Sequence, residues 1–220
     1  MASTIHHLRE PPDPPDDQSR AVASAYDRSA KRWHATRTEL PVNLRQLLNR
    51  MLIDCPPAPV VLDVGCGSGI PITRYLVEVG CLMTGLDASG ALLEIARREV
   101  PEASFLQGDM RLVEPGGSFD AIIAWDSVFH VPRADHAAVF ARFASWLKPH
   151  GSLLVSLGGS EWEGTSEMMG ETFFYSGYAH TESLRLLREA GFDLLNHEID
   201  DPSSRGHLAV LARKGASGHE

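Results

Sequence analysis

Chemistry in this 220-residue chain is first suggested by a glycine-rich run that follows a short apolar segment. The run is Gly65-Cys66-Gly67-Ser68-Gly69, and Asp63 lies just before its first glycine. Glycines between a strand and a helix let the backbone approach a nucleotide-like ligand closely. A dinucleotide fingerprint needs G-x-G-x-x-G, but here Ile70 occupies the third glycine position. An NAD-dependent oxidoreductase is the weaker interpretation, because a carboxylate at Asp63 repels a pyrophosphate and attracts a cationic amine or sulfonium.

Two further aspartates follow the next two apolar segments. Asp87 lies about 20 residues after Gly65, the separation at which a carboxylate accepts hydrogen bonds from both hydroxyls of a ribose. NAD sites and S-adenosylmethionine sites both use this device, so Asp87 predicts an adenosine-type ligand without choosing between them. After the third segment, Asp109 is a candidate acceptor for an adenine amino group, and Met110 is a candidate contact for the adenine ring.

Short apolar runs alternate with helical stretches, and this rhythm predicts the elements that position the aspartates. The alternation is typical of βαβ units, in which a parallel sheet carries helices on both faces. Predicted strands cover residues 60–64, 82–86, 103–107, 121–125 and 152–157, and predicted helices cover 71–79, 91–99, 135–147 and 181–190. Two final strands, 192–199 and 207–212, are joined by a predicted turn at 201–206. They predict an antiparallel hairpin at one edge of the sheet.

Composition divides the chain into successive parts. Residues 1–18 are a tail whose prolines prevent a helix, and residues 19–55 show helical periodicity. Residues 56–214 carry the α/β pattern, interrupted at 158–180 by a stretch without a convincing period, and 215–220 form a second tail. The sequence therefore predicts one α/β domain preceded by helices.

Charge and cysteine content disfavour several classes of partner. The formal net charge is −9 without a basic cluster, which argues against nucleic acid and anionic membranes. Cys55, Cys66 and Cys81 are an odd number without metal-ligand spacing, so we expect reduced thiols, no metal and a cytoplasmic location. No apolar run reaches the roughly 18 residues of a membrane-spanning helix, and residues 1–17 lack the apolar core of a signal peptide.

Five motifs in order give the chain a resemblance to a known family. They are VLDVGCGSG, GLDAS, QGDMR, FDAIIAWDSVFHV and LKPHGSLLVS. Over about residues 26–214 the sequence resembles the class I S-adenosylmethionine-dependent methyltransferases. It looks most like a group of bacterial small-molecule methyltransferases. These share its Tyr26-Asp27-Arg28 start, its element from Trp125 to His130 and its hairpin from Asp201 to Arg213.

The resemblance implies a fold and a cofactor. The fold is α/β, with a doubly wound, mostly parallel seven-stranded sheet whose last strand lies antiparallel beside the fifth. The N-terminal helices form a lid over S-adenosyl-L-methionine. The residues that the resemblance assigns to this cofactor are Tyr26, Asp63, Gly65, Cys66, Gly67, Gly69, Asp87, Ala88, Asp109, Met110, Trp125 and Asp126.

Each of these residues has an implied place around the cofactor. Asp63 and the glycine run face the methionine amine, and Asp87 holds the ribose. Ala88 and Met110 enclose the adenine, with Asp109 at its amino group. The remaining members line the methionine portion or close over it from the lid; they are Trp125, Asp126 and Tyr26.

Candidate acceptor residues lie beyond the fourth and fifth predicted strands. His130 is the candidate general base, and a role in shaping the pocket or capping the next helix is an equal alternative. The stretch 158–180 follows the fifth strand, where ligands bind in open α/β sheets. Its aromatic and Met side chains suit a flat, apolar small molecule. Tyr175, Trp162 and Phe129 are the predicted contacts.

The leading hypothesis is therefore an enzyme that moves a methyl group to an O or N atom of a small molecule, as a monomer or homodimer. A non-catalytic cofactor-binding module is the alternative from another class. Two other histidines, His136 and His207, are interpreted as surface or hairpin residues.

Overall fold

The computed structural model describes residues 17–201 and 207–215, and these form helices and strands in alternation. The α-helices are α1 (Asp17–Ala35), α2 (Val42–Leu52), α3 (Ile72–Glu78), α4 (Gly90–Glu99), α5 (His136–Trp146) and α6 (His180–Glu189). The strands are β1 (Val60–Val64), β2 (Leu82–Asp87), β3 (Ser104–Gln107), β4 (Phe119–Ala124), β5 (Leu147–Leu157), β6 (Trp162–Met168), β7 (Glu171–Gly177), β8 (Phe192–Asp201) and β9 (His207–Lys214). Two 3₁₀ helices, Val128–His130 and Arg133–Asp135, lie between β4 and α5.

Seven strands form one sheet in the order β3-β2-β1-β4-β5-β9-β8. The first five strands of the chain pair in parallel, whereas β9 lies antiparallel between β5 and β8. The chain moves outward in one direction from β1 to β3 and in the other from β4 to β5. Ligands in such sheets bind at the carboxyl ends of the strands, where the direction changes. The predicted doubly wound, mostly parallel sheet and its antiparallel C-terminal hairpin are confirmed.

The core lies on both faces of this sheet, because successive side chains of a strand point to opposite sides. On one face, Leu62 and Ile122 join a buried cluster with Phe140 of α5. On the other face, Val61 belongs to a cluster with Leu47 of α2. Burial on both sides explains why the central strands are continuous apolar runs rather than alternating ones.

The stretch 158–180 is a β-hairpin, and our prediction that it is irregular was wrong. Its strands β6 and β7 pair antiparallel in a separate two-stranded sheet. The turn between them uses Met169 and Gly170, which both have positive φ values. Most of β6 is exposed, while Phe173 and Phe174 are buried next to each other in β7. Neither strand therefore shows the alternation that marks a half-buried strand.

Strand β5 begins earlier than expected. It starts at Leu147, where we predicted the end of a helix, and its pairing with β4 shifts register between Phe119 and Ala121. Within this irregular part, His150 has a φ of 63° and Gly151 follows it. The sequence Lys-Pro-His-Gly is typical of a turn, so the local pattern concealed a strand that continues through a bulge.

Helix α1 is held between two distant parts of the chain. On one side Asp27 accepts hydrogen bonds from the Ser89 hydroxyl, at 2.6 Å, and from the Ala91 amide, at 3.0 Å, at the start of α4. On the other side Arg28 pairs with Glu171 of β7 at 2.8 Å. The helix therefore lies across the carboxyl edge of the sheet, in the position expected for a lid.

Some predictions fall outside the described residues. These are most of the tail 1–18, the turn at 201–206 except its first residue, and all but one residue of the tail 215–220. The helix predicted from residue 19 begins at Asp17. None of the helices in the described parts of the chain has the length and apolar character needed to cross a bilayer.

Candidate functional site

The glycine-rich loop after β1 adopts a conformation that requires glycine. Gly65 has a φ of 76°, and a Cβ atom there would lie 2.2 Å from the Cβ of Ser127. The amide of Gly65 donates to the Leu86 carbonyl at 2.7 Å. The loop is thereby pressed against the ends of β2 and β4, leaving its backbone open to the space above the sheet.

Asp87, the last residue of β2, accepts two backbone hydrogen bonds. The amides of Gly67 and Ser89 both donate to its carboxylate at 2.8 Å. Burial raises the pKa of Asp87 to about 6, although these two hydrogen bonds oppose the shift. The carboxylate is thus held rigidly at the edge of the sheet beside the glycine loop.

A cavity of about 770 Å³ lies above the strand ends and under α1. Ten of the predicted site residues line it together, namely Tyr26, Gly65, Gly67, Asp87, Ala88, Asp109, Met110, Trp125, Asp126 and His130. Trp33 and the lid residues Ser19, Val22 and Ala23 also line it. We refer to this space as the first cavity.

Three predicted cofactor residues lie outside the lining of the first cavity. Cys66 is buried, and Gly69 is part of the loop with a φ of 74°. Asp63 is only 2% exposed and accepts a 2.6 Å hydrogen bond from the Thr73 hydroxyl beneath the loop. Burial raises the pKa of Asp63 to about 7. Contact between Asp63 and a cationic amine stays a prediction, because its carboxylate supports the loop from below.

Asp109 has a partner that the sequence reasoning missed. The guanidinium of Arg111 donates to its carboxylate at 2.8 Å and also pairs with Asp135 at 2.7 Å. A further hydrogen bond joins Arg111 to Ser19 of the lid. Asp109 therefore lines the first cavity as one member of an ion-pair network that ties the lid to the loop after β3.

His130 is engaged at both ring nitrogens. The carbonyl of Phe174 can only accept, so the 2.7 Å contact identifies Nδ1 of His130 as the protonated nitrogen. Its Nε2 then accepts from the hydroxyl of Tyr26 at 2.8 Å. Burial lowers the pKa of His130 to about 4 and raises that of Tyr26, so both groups are neutral at pH 7. The pair forms a wall of the first cavity.

A second, more open cleft of about 1180 Å³ lies on the other side of this wall, and we call it the second cleft. All three predicted acceptor contacts line it, namely Phe129, Trp162 and Tyr175. The ring of Tyr175 lies 4.8 Å from that of His130, so the second cleft lies next to the first cavity. The hairpin β6–β7 thus overhangs the carboxyl edge of the sheet, next to the first cavity.

Asp126 joins the two spaces. It has a φ of 52°, a conformation that is rare for a residue other than glycine and is concentrated at functional sites. One carboxylate oxygen faces Arg37 Nη1 at 3.6 Å, and the other faces His207 Nδ1 at 3.7 Å. Its amide donates to the Ser156 hydroxyl at 2.7 Å. Asp126 lines the first cavity, while His207 lines the second cleft.

Sequence reasoning missed two features of the histidines. His136 is 2% exposed and bonded to the Val131 carbonyl, so the expectation that it lies on the surface was wrong. His207 was assigned only to the hairpin. It is the first residue of a strand that runs antiparallel, so it lies at the carboxyl edge of the parallel strands. The antiparallel direction of β9 was predicted, and this direction could have placed His207 at the carboxyl edge of the sheet.

Among the described residues no group of three or more His, Cys, Asp or Glu side chains could hold a metal ion.

Comparison with known proteins agrees with the shape of the site. Residues 61–151 match a family model described as a methyltransferase domain. A trans-aconitate 2-methyltransferase from Enterobacter sp. (strain 638) is 36% identical over 135 residues, or 60% of this chain and 52% of that protein. Residues 61–151 are therefore similar to a methyltransferase domain, in the part of the chain that carries the glycine-rich loop.

Other methyltransferases resemble the chain over different lengths. A dTDP-3-amino-3,6-dideoxy-alpha-D-glucopyranose N,N-dimethyltransferase from Streptomyces fradiae is 32% identical over 64% of this chain and 55% of its own. The chain thus spans about half the length of these curated relatives. The crystal structure of magnesium protoporphyrin IX methyltransferase from Synechocystis PCC 6803 with bound S-adenosylmethionine has a TM-score of 0.71 at 18% identity. The match covers 93% of this chain and 100% of that one, which shows a shared fold.

The first cavity fits S-adenosylmethionine, the molecule bound in the Synechocystis structure. The backbone at Gly65 forms part of its lining, where an added Cβ would lie 2.2 Å from the Cβ of Ser127, and Asp87 presents a carboxylate beside it. The cavity also offers an apolar flank from Ala88 and Met110. A nucleoside with a charged tail needs these three surfaces, and all of them are contributed by family motifs.

Proposed function

We propose that this protein is a class I S-adenosylmethionine-dependent methyltransferase that transfers a methyl group from S-adenosylmethionine to an O or N atom of a small molecule. The observation that carries the proposal is the adjacency of two spaces at one sheet edge. A glycine-lined cavity beneath α1 lies next to an aromatic cleft under the hairpin. Two ligands can therefore lie side by side, as a group transfer requires.

The first cavity supplies a partner for each part of the cofactor. Asp87 would accept from the ribose hydroxyls, since its carboxylate is fixed by backbone amides on its other side. Ala88 and Met110 would flank the adenine. Trp125 and Asp126, at the end of β4, would lie along the methionine portion. Tyr26 would close over it from α1.

Bound S-adenosylmethionine supplies a methyl group that its sulfonium has already activated. The protein therefore needs mainly to align the acceptor atom and to exclude water. The residues between the two spaces would align the acceptor. They are Tyr26, His130 and Tyr175, which are held by hydrogen bonds and ring contacts. Water is excluded by α1, which covers the first cavity.

The second cleft favours a flat acceptor. Trp162 and Tyr175 of the hairpin lie opposite Phe129, and the walls between them carry backbone and hydroxyl groups, as at Ser160. Aromatic side chains bind planar molecules through ring contacts, while the polar groups orient them. The relatives carry names that indicate a carboxylate acceptor and an amino sugar acceptor. A small molecule with a nucleophilic oxygen or nitrogen is consistent with both.

Calorimetric titration tests the cofactor assignment. We expect S-adenosylhomocysteine to bind and NADH not to bind, because the loop lacks the third glycine of a dinucleotide site. Binding of NADH alone would overturn the proposal. The same titration of Asp193→Ala, a change at an exposed strand residue remote from the glycine loop, controls for protein quality.

Methyl transfer separates an enzyme from a binding module. The assay uses S-adenosylmethionine carrying a labelled methyl group and a panel of small acceptors. The panel contains catechol, 4-nitrocatechol, trans-aconitate and an amino sugar. Label transferred to any of them supports an enzyme. Tight S-adenosylhomocysteine binding without transfer to any panel member would favour the non-catalytic module.

The remaining expectations belong to the same proposal. The acceptor partner is a small molecule rather than a nucleic acid or membrane, and the protein works as a monomer or homodimer. Cys55, Cys66 and Cys81 are free thiols, which suits a cytoplasmic location.

A further inference from the structure

We propose that His207, held by Asp126, is the base that removes a proton from the methyl acceptor. The inference rests on the proposed function and adds a residue to it. It concerns the junction of the two ligand spaces, where His207 lines the second cleft and Asp126 lines the first cavity. A base at this junction would be close to both the acceptor and the transferred methyl group.

The geometry of His207 is that of an oriented imidazole. Its Nδ1 faces Oδ1 of Asp126 at 3.7 Å, and its ring lies 5.5 Å from the ring of Phe129. Among the described residues, no group is hydrogen-bonded to Nε2, which is on the far side of the ring from Asp126. A carboxylate on Nδ1 favours the tautomer whose Nε2 is free to accept a proton. Such contacts are often long without ligands and shorten in the complex.

Asp126 is itself fixed from several directions. Its amide donates to the buried Ser156 hydroxyl at 2.7 Å, and its second carboxylate oxygen faces Arg37 Nη1 at 3.6 Å. The guanidinium of Arg37 lies 3.9 Å above the Trp33 ring, which holds the positive charge in place. Asp126 also has a positive φ, of 52°. The cost of this conformation is typical of residues kept for function.

Other candidate bases at the site are already committed. His130 has both ring nitrogens bonded, and burial lowers its pKa to about 4. The phenols of Tyr26 and Tyr175 have raised pKa values because of burial, so neither is ionised at neutral pH. His130 is better suited to position Tyr26 than to accept a proton. His207 is the titratable side chain of the second cleft that keeps a free nitrogen.

The chemical step balances with this assignment. The acceptor hydroxyl gives its proton to Nε2 of His207, and Asp126 stabilises the imidazolium that results. The acceptor oxygen forms the new bond to the methyl carbon and leaves the carbon–sulfur electron pair on the sulfur. The proton then passes from His207 to water through the open side of the cleft. The total charge is conserved, because the positive charge of the sulfonium is lost when the methyl group leaves and one proton is released.

The test is His207→Gln, with His197→Gln as the matched control on the exposed part of β8. We expect His207→Gln to lower kcat with catechol by at least about 100-fold, the lower end of what a general base contributes. The loss should be smaller with 4-nitrocatechol, which is more acidic. It should be absent with trans-aconitate, whose carboxylates carry no proton at neutral pH. S-adenosylhomocysteine should bind to both variants as to the wild-type protein.

A merely structural role for His207 would lower kcat for every acceptor equally, and that result would overturn the inference. Transfer confined to trans-aconitate would also overturn it, because no proton is then removed. Lack of transfer to any acceptor by the wild-type protein would instead contradict the proposed function.

A second readout needs no turnover. The ¹⁵N resonances of the His207 ring should report the Nδ1–H tautomer in the wild-type protein, because the Asp126 carboxylate faces that nitrogen at 3.7 Å. In Asp126→Asn the Nε2–H tautomer should become the major form. An unchanged tautomer in this variant would show that Asp126 does not orient His207.

Discussion

The first cavity and the second cleft share a wall but are built in different ways. The first cavity collects residues that end successive strands, from Gly65 after β1 to Asp87 at the end of β2 and Asp109 after β3. The second cleft collects Phe129 of a 3₁₀ helix and His207 of the last strand, together with the hairpin β6–β7. One site is encoded in local motifs, whereas the other exists only through contacts between distant segments.

The two spaces also differ in how firmly their polar groups are held. At the first cavity, the Asp87 carboxylate accepts two amides, and Arg111 holds Asp109. At the second cleft, Trp162 is 36% exposed and Tyr175 bonds only weakly to the Met168 sulfur, at 3.8 Å. The polar groups of the first cavity are thus held by more hydrogen bonds than the Tyr175 hydroxyl of the second cleft.

The largest effect should come from Gly65→Ala. The new Cβ would lie 2.2 Å from that of Ser127 at a φ of 76°, so the loop must move. We expect the free energy of unfolding, measured with urea, to fall by about 3 kcal/mol. Gly80→Ala is the control, because Gly80 also has a positive φ but nothing lies near its added Cβ. It should cost about 1 kcal/mol. Equal losses would show that loop packing at Gly65 is unimportant.

The next effect concerns the buried carboxylate under the loop. The folded pKa of Asp63 is raised to about 7 from an ordinary 3.8, so folding favours its protonated form. Its contribution to stability is full below pH 3.8 and is lost as the pH rises through 7. Relative to the wild-type protein, Asp63→Asn should therefore gain about 2 kcal/mol in unfolding free energy between pH 5 and pH 8.

Urea unfolding at the two pH values measures this difference. Asp193→Asn, at an exposed position on β8, should show no such change relative to the wild-type protein. A constant difference between Asp63→Asn and the wild-type protein would mean that Asp63 stays ionised throughout this range.

A third substitution tests whether the first cavity binds the cofactor and not the acceptor. Asp87→Ala removes a carboxylate that lines the first cavity, so S-adenosylhomocysteine affinity should weaken by about 1–3 kcal/mol. Calorimetric titration measures the loss. The KM for the acceptor should change little, since Asp87 does not line the second cleft among the described residues. Unchanged cofactor affinity would place the ribose elsewhere.

The smallest expected effect is on the acceptor side. Trp162→Ala removes an aromatic wall of the second cleft that is partly open to solvent. We expect the acceptor KM to rise about fivefold, or about 1 kcal/mol, without a change in S-adenosylhomocysteine affinity. Leu195→Ala, at an exposed apolar residue of β8, is the control. A loss of S-adenosylhomocysteine affinity in Trp162→Ala would show that the second cleft also contributes to cofactor binding.

The same contrast explains what could be predicted from the sequence. Asp87 was placed correctly at the end of β2, because apolar runs and turn glycines mark strand ends locally. The hairpin β6–β7 was missed, since the burial of its aromatic residues depends on Val22 and Ala25 of a helix far away in the chain. The partner of Asp109 was missed for a related reason. Arg111 looks like a surface residue until the lid supplies Ser19.

The contacts of helix α1 form at different stages of protein synthesis. Its ion-pair partner Glu171 lies 143 residues later in the chain than Arg28, so the helix leaves the ribosome long before β7 exists. Bringing segments this far apart together costs chain entropy, which slows their docking. The contacts of Asp27 with Ser89 and Ala91 need a much shorter chain than the ion pair with Glu171 does. One face of α1 therefore meets its partners early in synthesis, and the other waits for most of the chain.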